Sequence, residues 1–401
     1  MRNPQGMEAH RFVEEAIPAG AVVMPFARVL IADDHPDVLA ALRLLLKREG
    51  YETETATSQA EVLARVEAGT FDALLMDLNY SRDTTSGEEG LRLLRAVRSA
   101  DSALPVIALT GWASLDLVVE TLREGVSDFI EKPWDNAKLL TVLRAQVVKS
   151  RLLREDRRRE IEAARQMEEA GRIQRGFVPR EIPPVPGCRV AVAWRPCGAL
   201  SGDYFDLLPF GDGLFGICIA DVVGKGMPAA LLMSTLQANV KGLAGARLSP
   251  GMLCEQLNTL VGRTITRNKF ITLFYALLDT SRRTLRYANA GHCPPILLRR
   301  SGEVVRLLEG GGVLGVCPEW RYEQKEIALG SGDRLLLFTD GISEACSAGG
   351  EEYGDARLIK MMRNDPGGDP EELQRSIMRS VAEFRGGPLE DDATSMLIHV
   401  A

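Results

Sequence analysis

From Arg28 to about Val148, short apolar runs alternate with segments whose apolar residues recur every three or four positions. "RVLIAD", "YETETA", "FDALLMD", "PVIALT" and "SDFIEK" read as strands, and the third is apolar enough to be buried on both faces. Between the first two, "DVLAALRLLLKREG" sets Val38, Ala41, Leu42, Leu45 and Leu46 on one helical face before a glycine stop. The helical pattern returns in "SQAEVLARVEAG", "GLRLLRAVRS", "LDLVVETLREG" and "DNAKLLTVLRAQVV". This alternation predicts a doubly wound α/β sheet of five parallel strands.

The next segment, "KSRLLREDRRREIEAARQMEEAGRIQRGFVP", is charged and strongly helix-forming. Ala163, Met167, Ala170, Gln174 and Phe177 follow a four-three spacing, a short coiled-coil-like stripe. Prolines in "VPREIPPVPG" then break the helix. From Cys188 onward the pattern becomes short strands between glycine-rich turns, with helices near 228–242, 250–266 and 370–385. That texture predicts an α+β domain of packed β-sheets flanked by helices. The expected divisions are an N-terminal extension (1–25), the α/β domain (26–150), a helical linker (151–185) and the α+β domain (186–401).

Composition narrows the function classes. A net charge of −7 argues against a nucleic-acid role, which wants a basic face. No apolar run approaches the roughly 20 residues that span a bilayer, and the acidic N-terminus does not read as a signal peptide, so membrane insertion is not expected. The 7 cysteines are scattered without a C-x-x-C pair, which predicts reduced thiols in a cytoplasmic protein. Val261, Ile265, Met227 and Met233 read as core.

Chemistry enters at the strand ends. In an open α/β sheet ligands bind at the carboxyl edge, and here that edge carries Asp33, Asp34, Asp77, Thr110 and Lys132. Asp77 could simply cap its strand, but three carboxylates with a hydroxyl and an ammonium make little sense as a structural cluster. Their mutual repulsion calls for a divalent cation, and oxygen ligands suit Mg²⁺. Beside such an ion Asp77 can act as a nucleophile toward a phosphoryl group. "IADDHPD", "LLMD", "ALTG" and "DFIEKPW" resemble the receiver domain of two-component response regulators. The resemblance implies that Asp77 is the phosphoacceptor for a cognate histidine kinase and that Asp33, Asp34 and Asp77 hold Mg²⁺. It also implies support from Thr110 and Lys132, a cis Lys132–Pro133 peptide and a switch role for Phe129. The polar stretch "LNYSRDTTSGEEG" after Asp77 departs from the family's short turn.

Carboxylates recur past the apolar strands of the second domain, at Asp203 in "LSGDYFD", Asp221 in "ICIADVVGKG", Asp340 in "LLLFTDG", and Asp391 and Asp392 in "EDDATSMLI". With only 4 histidines in the chain, oxygen ligands for Mg²⁺ or Mn²⁺ are the natural reading. Two such metals can hydrolyse a phosphate ester without a protein nucleophile. "AGRIQRGFVP", "SGDYFD", "ADVVGKGMPAALLM", "YANAGHCPPILL", "GGVLGV", "FTDGISEA" and "YGDARL" resemble the SpoIIE-like branch of the PPM protein phosphatases. By that resemblance Asp221 bridges both metals, the Val222 carbonyl and Asp203 contribute there, and Asp340 and Asp391 hold the second ion, with Asp392 behind them. The implied activity is that of a metal-dependent serine/threonine phosphatase acting on a phosphorylated STAS-type anti-sigma-factor antagonist. Lys225 is a candidate phosphate contact, and His292 reads either as a general acid or as a structural loop residue. A homodimer paired through the linker helices is expected. The rival reading is a catalytically silent, receiver-gated scaffold that sequesters a partner.

Overall fold

The computed structural model describes residues 27–78, 88–111, 121–265, 268–365 and 369–401. The expected N-terminal extension, most of the polar stretch after Asp77 and much of "LDLVVETLREG" lie outside the described residues. By contacts the chain divides between Glu162 and Ala163 into two compact units.

The first unit runs β1 (Arg28–Ala32), α1 (Pro36–Arg48), β2 (Glu52–Ala56), α2 (Gln59–Ala68), β3 (Ala73–Asp77), α3 (Glu88–Ala100), β4 (Val106–Thr110), β5 (Asp128–Glu131) and α4 (Asn136–Gln174). The five strands are parallel, in the order β2-β1-β3-β4-β5. Side chains alternate across a strand, and β3 shows the result. Leu74 and Met76 join one hydrophobic cluster, while Ala73 and Leu75 join another on the opposite face. With both faces covered, the polar strand ends are the one place for chemistry on this sheet.

α4 continues without a break through the segment expected to begin a separate linker. Its first half belongs to the α/β unit: Arg151 makes a two-pronged contact to Asp72 at 2.9 and 2.8 Å, and Arg154 reaches Asp101 at 2.9 Å. Residues 155–166 are exposed on every face. Gln174, placed by sequence on the pairing stripe, is instead buried, with its amide bonded to the Ser201 backbone at 2.6 and 2.9 Å.

The second unit contains β6 (Cys188–Arg195), β7 (Tyr204–Pro209), β8 (Leu214–Val222), α5 (Met227–Leu243), α6 (Pro250–Gly262), β9 (Ile271–Asp279) and β10 (Thr284–Ala290). There follow β11 (Ile296–Leu298), β12 (Val304–Arg306), β13 (Gly310–Gly311), β14 (Lys325–Ala328), β15 (Arg334–Phe338), α7 (Asp340–Ser343), α8 (Asp355–Asn364), α9 (Pro370–Arg385) and β16 (Ala393–Val400). One sheet has the order β13-β10-β9-β8-β7, with β14 also on β10; the other is β12-β11-β15-β16-β6. On β15, Leu335 and Leu337 join the core that holds the first sheet with α5 and α6, whereas Leu336 and Phe338 join the cluster under α8 and α9. Two sheets therefore pack face to face with helices outside each. Sequence patterning missed α8, a short helix with only Leu358 and Met362 fully inward.

Val261 and Met233 are core as expected, and Ile265 packs against it. Met227 is not: it is 46% exposed. Its helix turns Ala229, Ala230, Met233, Leu236 and Val240 inward, and at 100° per residue Met227 falls on the far side.

Phe274 is fully buried at the centre of the first sheet and stacks on Tyr287 at 5.6 Å. Phe274→Ala is expected to destabilise this unit by about 3–5 kcal/mol, through lost burial and the cavity left behind. Denaturant unfolding followed by far-ultraviolet circular dichroism measures it.

Candidate functional site

At the carboxyl edge of the parallel sheet, β1 delivers Asp33, β3 delivers Asp77, and the segment after β5 delivers Lys132. Lys132 Nζ donates to Asp33 Oδ2 at 2.6 Å and to Asp77 Oδ2 at 2.8 Å. Burial works against the lysine's charge, but these two carboxylates outweigh it and hold its pKa above the ordinary value. Asp33 and Asp77 are themselves buried, so the ammonium compensates charges that are costly to desolvate. Asp34 points elsewhere, with Oδ1 at 2.8 Å from His35 Nδ1. Thr110 Oγ1 is buried with no hydrogen-bond partner among the described residues, which leaves a donor ready for an incoming oxygen. The Lys132–Pro133 peptide is cis. Phe129, half-buried, packs against the cluster on one face of the sheet.

In the second unit the aspartates come from four places in the fold. Asp203 precedes β7, Asp221 sits near the end of β8, Asp340 opens α7 just past β15, and Asp391 precedes β16. Asp203 is almost fully buried, and its Oδ2 accepts from Thr339 Oγ1 at 2.9 Å and Thr394 Oγ1 at 2.5 Å. Its Oδ1 is buried with no donor among the described residues. Burial, then the charge of Asp221, drives the Asp203 pKa well above the carboxylate range. Asp221 is pushed up to about 7 by burial and then by Asp340 and Asp391. Burial and the Asp391 charge also raise Asp340. The four carboxylates thus converge closely enough to resist one another's ionisation.

Close backbone approach makes room for this centre. A Cβ on Gly202 would lie 3.0 Å from the Val222 carbonyl oxygen and 3.6 Å from Asp221 Oδ1. One on Gly341 would fall 2.0 Å from the Asp392 carbonyl oxygen. Asp392 faces away from the other carboxylates, accepting from the Cys197 and Gly202 N–H groups at 2.8 and 2.7 Å. It staples two loops to the front of β16. Lys225 Nζ lies 3.2 Å from Asp391 Oδ2 and also donates to the Glu390 carbonyl. Lys269 Nζ donates to the Val223 carbonyl at 3.0 Å and so fixes the turn after Asp221.

His292 resolves to its structural reading. It is buried, its Nδ1 sits 2.8 Å from Thr272 Oγ1, and its backbone N–H donates to Asn289. Burial pushes its pKa down to about 4, so near neutral pH it carries no proton to give as an imidazolium acid. Thr339, Thr394 and Lys269 are the contributors that sequence reading did not single out. The two threonines were visible only as neighbours of aspartates in "FTDG" and "DDAT".

An orphaned carboxylate oxygen amid mutually repelling acids fits hard divalent cations, since oxygen donors of that charge are what such ions require. The centre opens into a cavity of about 130 Å³ lined by Lys225, Asp340, Glu344, Arg385 and Asp391, among others. A larger cavity of about 1000 Å³ lies along β6 and α9, near Trp194 and Gln374, and none of the four converging aspartates lines it.

Family models match in two places: the response regulator receiver domain over residues 29–144 and Stage II sporulation protein E (SpoIIE) over residues 211–401. The phosphoserine phosphatase RsbU of Bacillus subtilis is 29% identical over 235 residues, which is 58% of this chain and 69% of RsbU. Over 118 residues the transcriptional regulatory protein PrrA of Mycobacterium tuberculosis is 34% identical, covering 29% of this chain and 48% of PrrA. Among solved structures, the SiaA-PP2C domain of Pseudomonas aeruginosa superposes with a TM-score of 0.53 at 20% identity, covering 60% of this chain and 98% of that domain. The chain therefore carries a response regulator receiver domain followed by a SpoIIE-family domain with the PP2C phosphatase fold.

Proposed function

We propose that this protein is a response regulator whose output is a metal-dependent phosphoprotein serine/threonine phosphatase. The observation that carries the reading is the convergence of Asp203, Asp221, Asp340 and Asp391 around a buried, donorless Asp203 Oδ1. Asp203, Asp221 with the Val222 carbonyl, Asp340 and Asp391 hold two Mn²⁺ or Mg²⁺ ions. When bound, the ions supply an activated water and neutralise phosphoryl oxygens. Thr339 and Thr394 orient Asp203, Lys269 fixes the turn carrying the Val222 carbonyl, and Lys225 sets the position of Asp391. In the receiver, Asp33, Asp34 and Asp77 hold Mg²⁺. Asp77 forms an O–P bond as the N–P bond of a kinase phosphohistidine breaks, and the histidine keeps the electron pair. Lys132 and Thr110 then bind the transferred oxygens.

A phosphorylated STAS-type anti-sigma-factor antagonist is the proposed substrate, in a cytoplasmic homodimer controlled by a histidine kinase. The RsbU likeness supports phosphoserine as the scissile group. A silent scaffold has no use for four acids whose crowding raises their own pKa values, and retention of all four weighs against it.

Asp221→Asn and Asp340→Asn are each expected to lower Mn²⁺-dependent hydrolysis of p-nitrophenyl phosphate by about a thousandfold or more, the several kcal/mol a metal contributes to the transition state. Near-normal turnover in Asp221→Asn rejects the assignment.

Stability supplies a check independent of turnover. With its folded pKa near 7, far above that of an unfolded aspartate, Asp221 binds a proton more tightly in the fold. Its contribution is complete below about pH 4 and is lost as pH rises through 7. In chelator, the Tm of the phosphatase transition is expected to fall between pH 5 and 8, and Mn²⁺ to restore it. A Tm insensitive to both pH and Mn²⁺ contradicts the centre.

For the receiver, acetyl phosphate treatment is expected to add one phosphoryl mass, and Asp77→Asn to abolish it. Persistent labelling of that variant by mass spectrometry places the acceptor elsewhere.

A further inference from the structure

The acidic centre opens into only about 130 Å³, below the ~300–1,000 Å³ of a typical small-ligand site. A phosphoryl group and the stem of its side chain fill such a space. The remainder of any substrate must rest on the rim.

One part of that rim is apolar. α5 starts at Met227, directly after the turn that carries Asp221, Val222 and Lys225. Its Ala229 methyl lies 3.4 Å from where a Gly202 Cβ would stand, the same point that is 3.0 Å from the Val222 carbonyl oxygen. The first turn of α5 therefore abuts the acidic centre. With Ala229, Ala230 and Met233 facing the core, Met227 and Leu231 share the outward face, about 40° apart around the helix. They are 46% and 63% exposed. Farther along the same face come Ser234 and Thr235, so large apolar side chains are confined to the end beside the carboxylates. Single exposed apolar residues are ordinary. Two on one turn, at the mouth of a centre too small to hold its substrate, are a docking surface in the right place.

We propose that Met227 and Leu231 seat the phosphorylated protein substrate. An apolar patch beside the substrate's phosphoserine rests on the first turn of α5 while the phosphoseryl side chain enters among Asp203, Asp221, Asp340 and Asp391. The proposal rests on the phosphatase reading and adds to it the determinant that separates a protein substrate from a small phosphate ester. Contacts remote from the reacting atoms raise kcat/KM only for substrates large enough to make them.

The test compares the full-length protein with Leu231→Ser and the Met227→Ser/Leu231→Ser double variant, in Mn²⁺. Three substrates are used: p-nitrophenyl phosphate, a short phosphoserine peptide from a STAS-domain protein, and that intact protein phosphorylated on serine. The variants are expected to lose about tenfold or more in kcat/KM on the intact protein, chiefly through KM. Turnover of the aryl phosphate and the peptide should stay within about twofold, which also reports an intact fold. Equal loss on all three substrates makes these residues supports of the centre and overturns the proposal, as does unchanged turnover of the intact protein. Conversion of a dimer to a monomer with protein turnover unchanged assigns the face to self-association, which also overturns it. Wild-type hydrolysis of the aryl phosphate but of no STAS protein rejects the substrate class and the docking surface with it. Absence of any Mn²⁺-dependent hydrolysis rejects the phosphatase reading itself.

Discussion

Like charges in a place with little water are the constraint around which the second unit is organised. A buried carboxylate is costly unless a partner compensates it, and here Asp203 has only two hydroxyl donors on one oxygen and none on the other. The fold supplies the framework that keeps such groups together. Two sheets packed face to face, with helices outside each, make the strand ends rigid enough to hold four acids that would separate in a looser structure. The same principle operates in the receiver at smaller scale and with a different answer. There a lysine ammonium, bonded to Asp33 and Asp77, does the neutralising. One centre carries its own counter-charge; the other needs an ion from solution.

Most of this was legible in the sequence because side-chain alternation and strand-end aspartates are local signals. β1, β3 and β4 are continuous apolar runs, and a polar residue at the end of each is conspicuous without any knowledge of the fold. The five parallel strands and the two packed sheets followed from such runs. The three helices read near 228–242, 250–266 and 370–385 match α5, α6 and α9 to within a few residues.

What stayed hidden depends on contacts distant in sequence. Thr339 and Thr394 matter because they meet Asp203 across 136 and 191 residues, and nothing near either threonine announces that meeting. Gln174 fits a pairing stripe by spacing, yet its amide is taken by the Ser201 backbone. Spacing says which residues share a face and not what covers it. Met227 is the opposite case. The inward positions of α5 already place it on the far side of the helix by period alone, so its exposure could have been read from the sequence had hydrophobicity not been taken as burial.

Gly202 and Gly341 carry a consequence for how such a centre can change over generations. A methyl at Gly341 would collide with the Asp392 carbonyl at 2.0 Å, and one at Gly202 would crowd the Val222 carbonyl at 3.0 Å. Neither obstacle is the end of a flexible side chain that could swing aside. Mutational drift at these two positions therefore has few neutral steps, although neither residue contributes a functional group. Descendants that keep the acids but lose either glycine would retain the look of the centre in their sequences while their backbones no longer close around it.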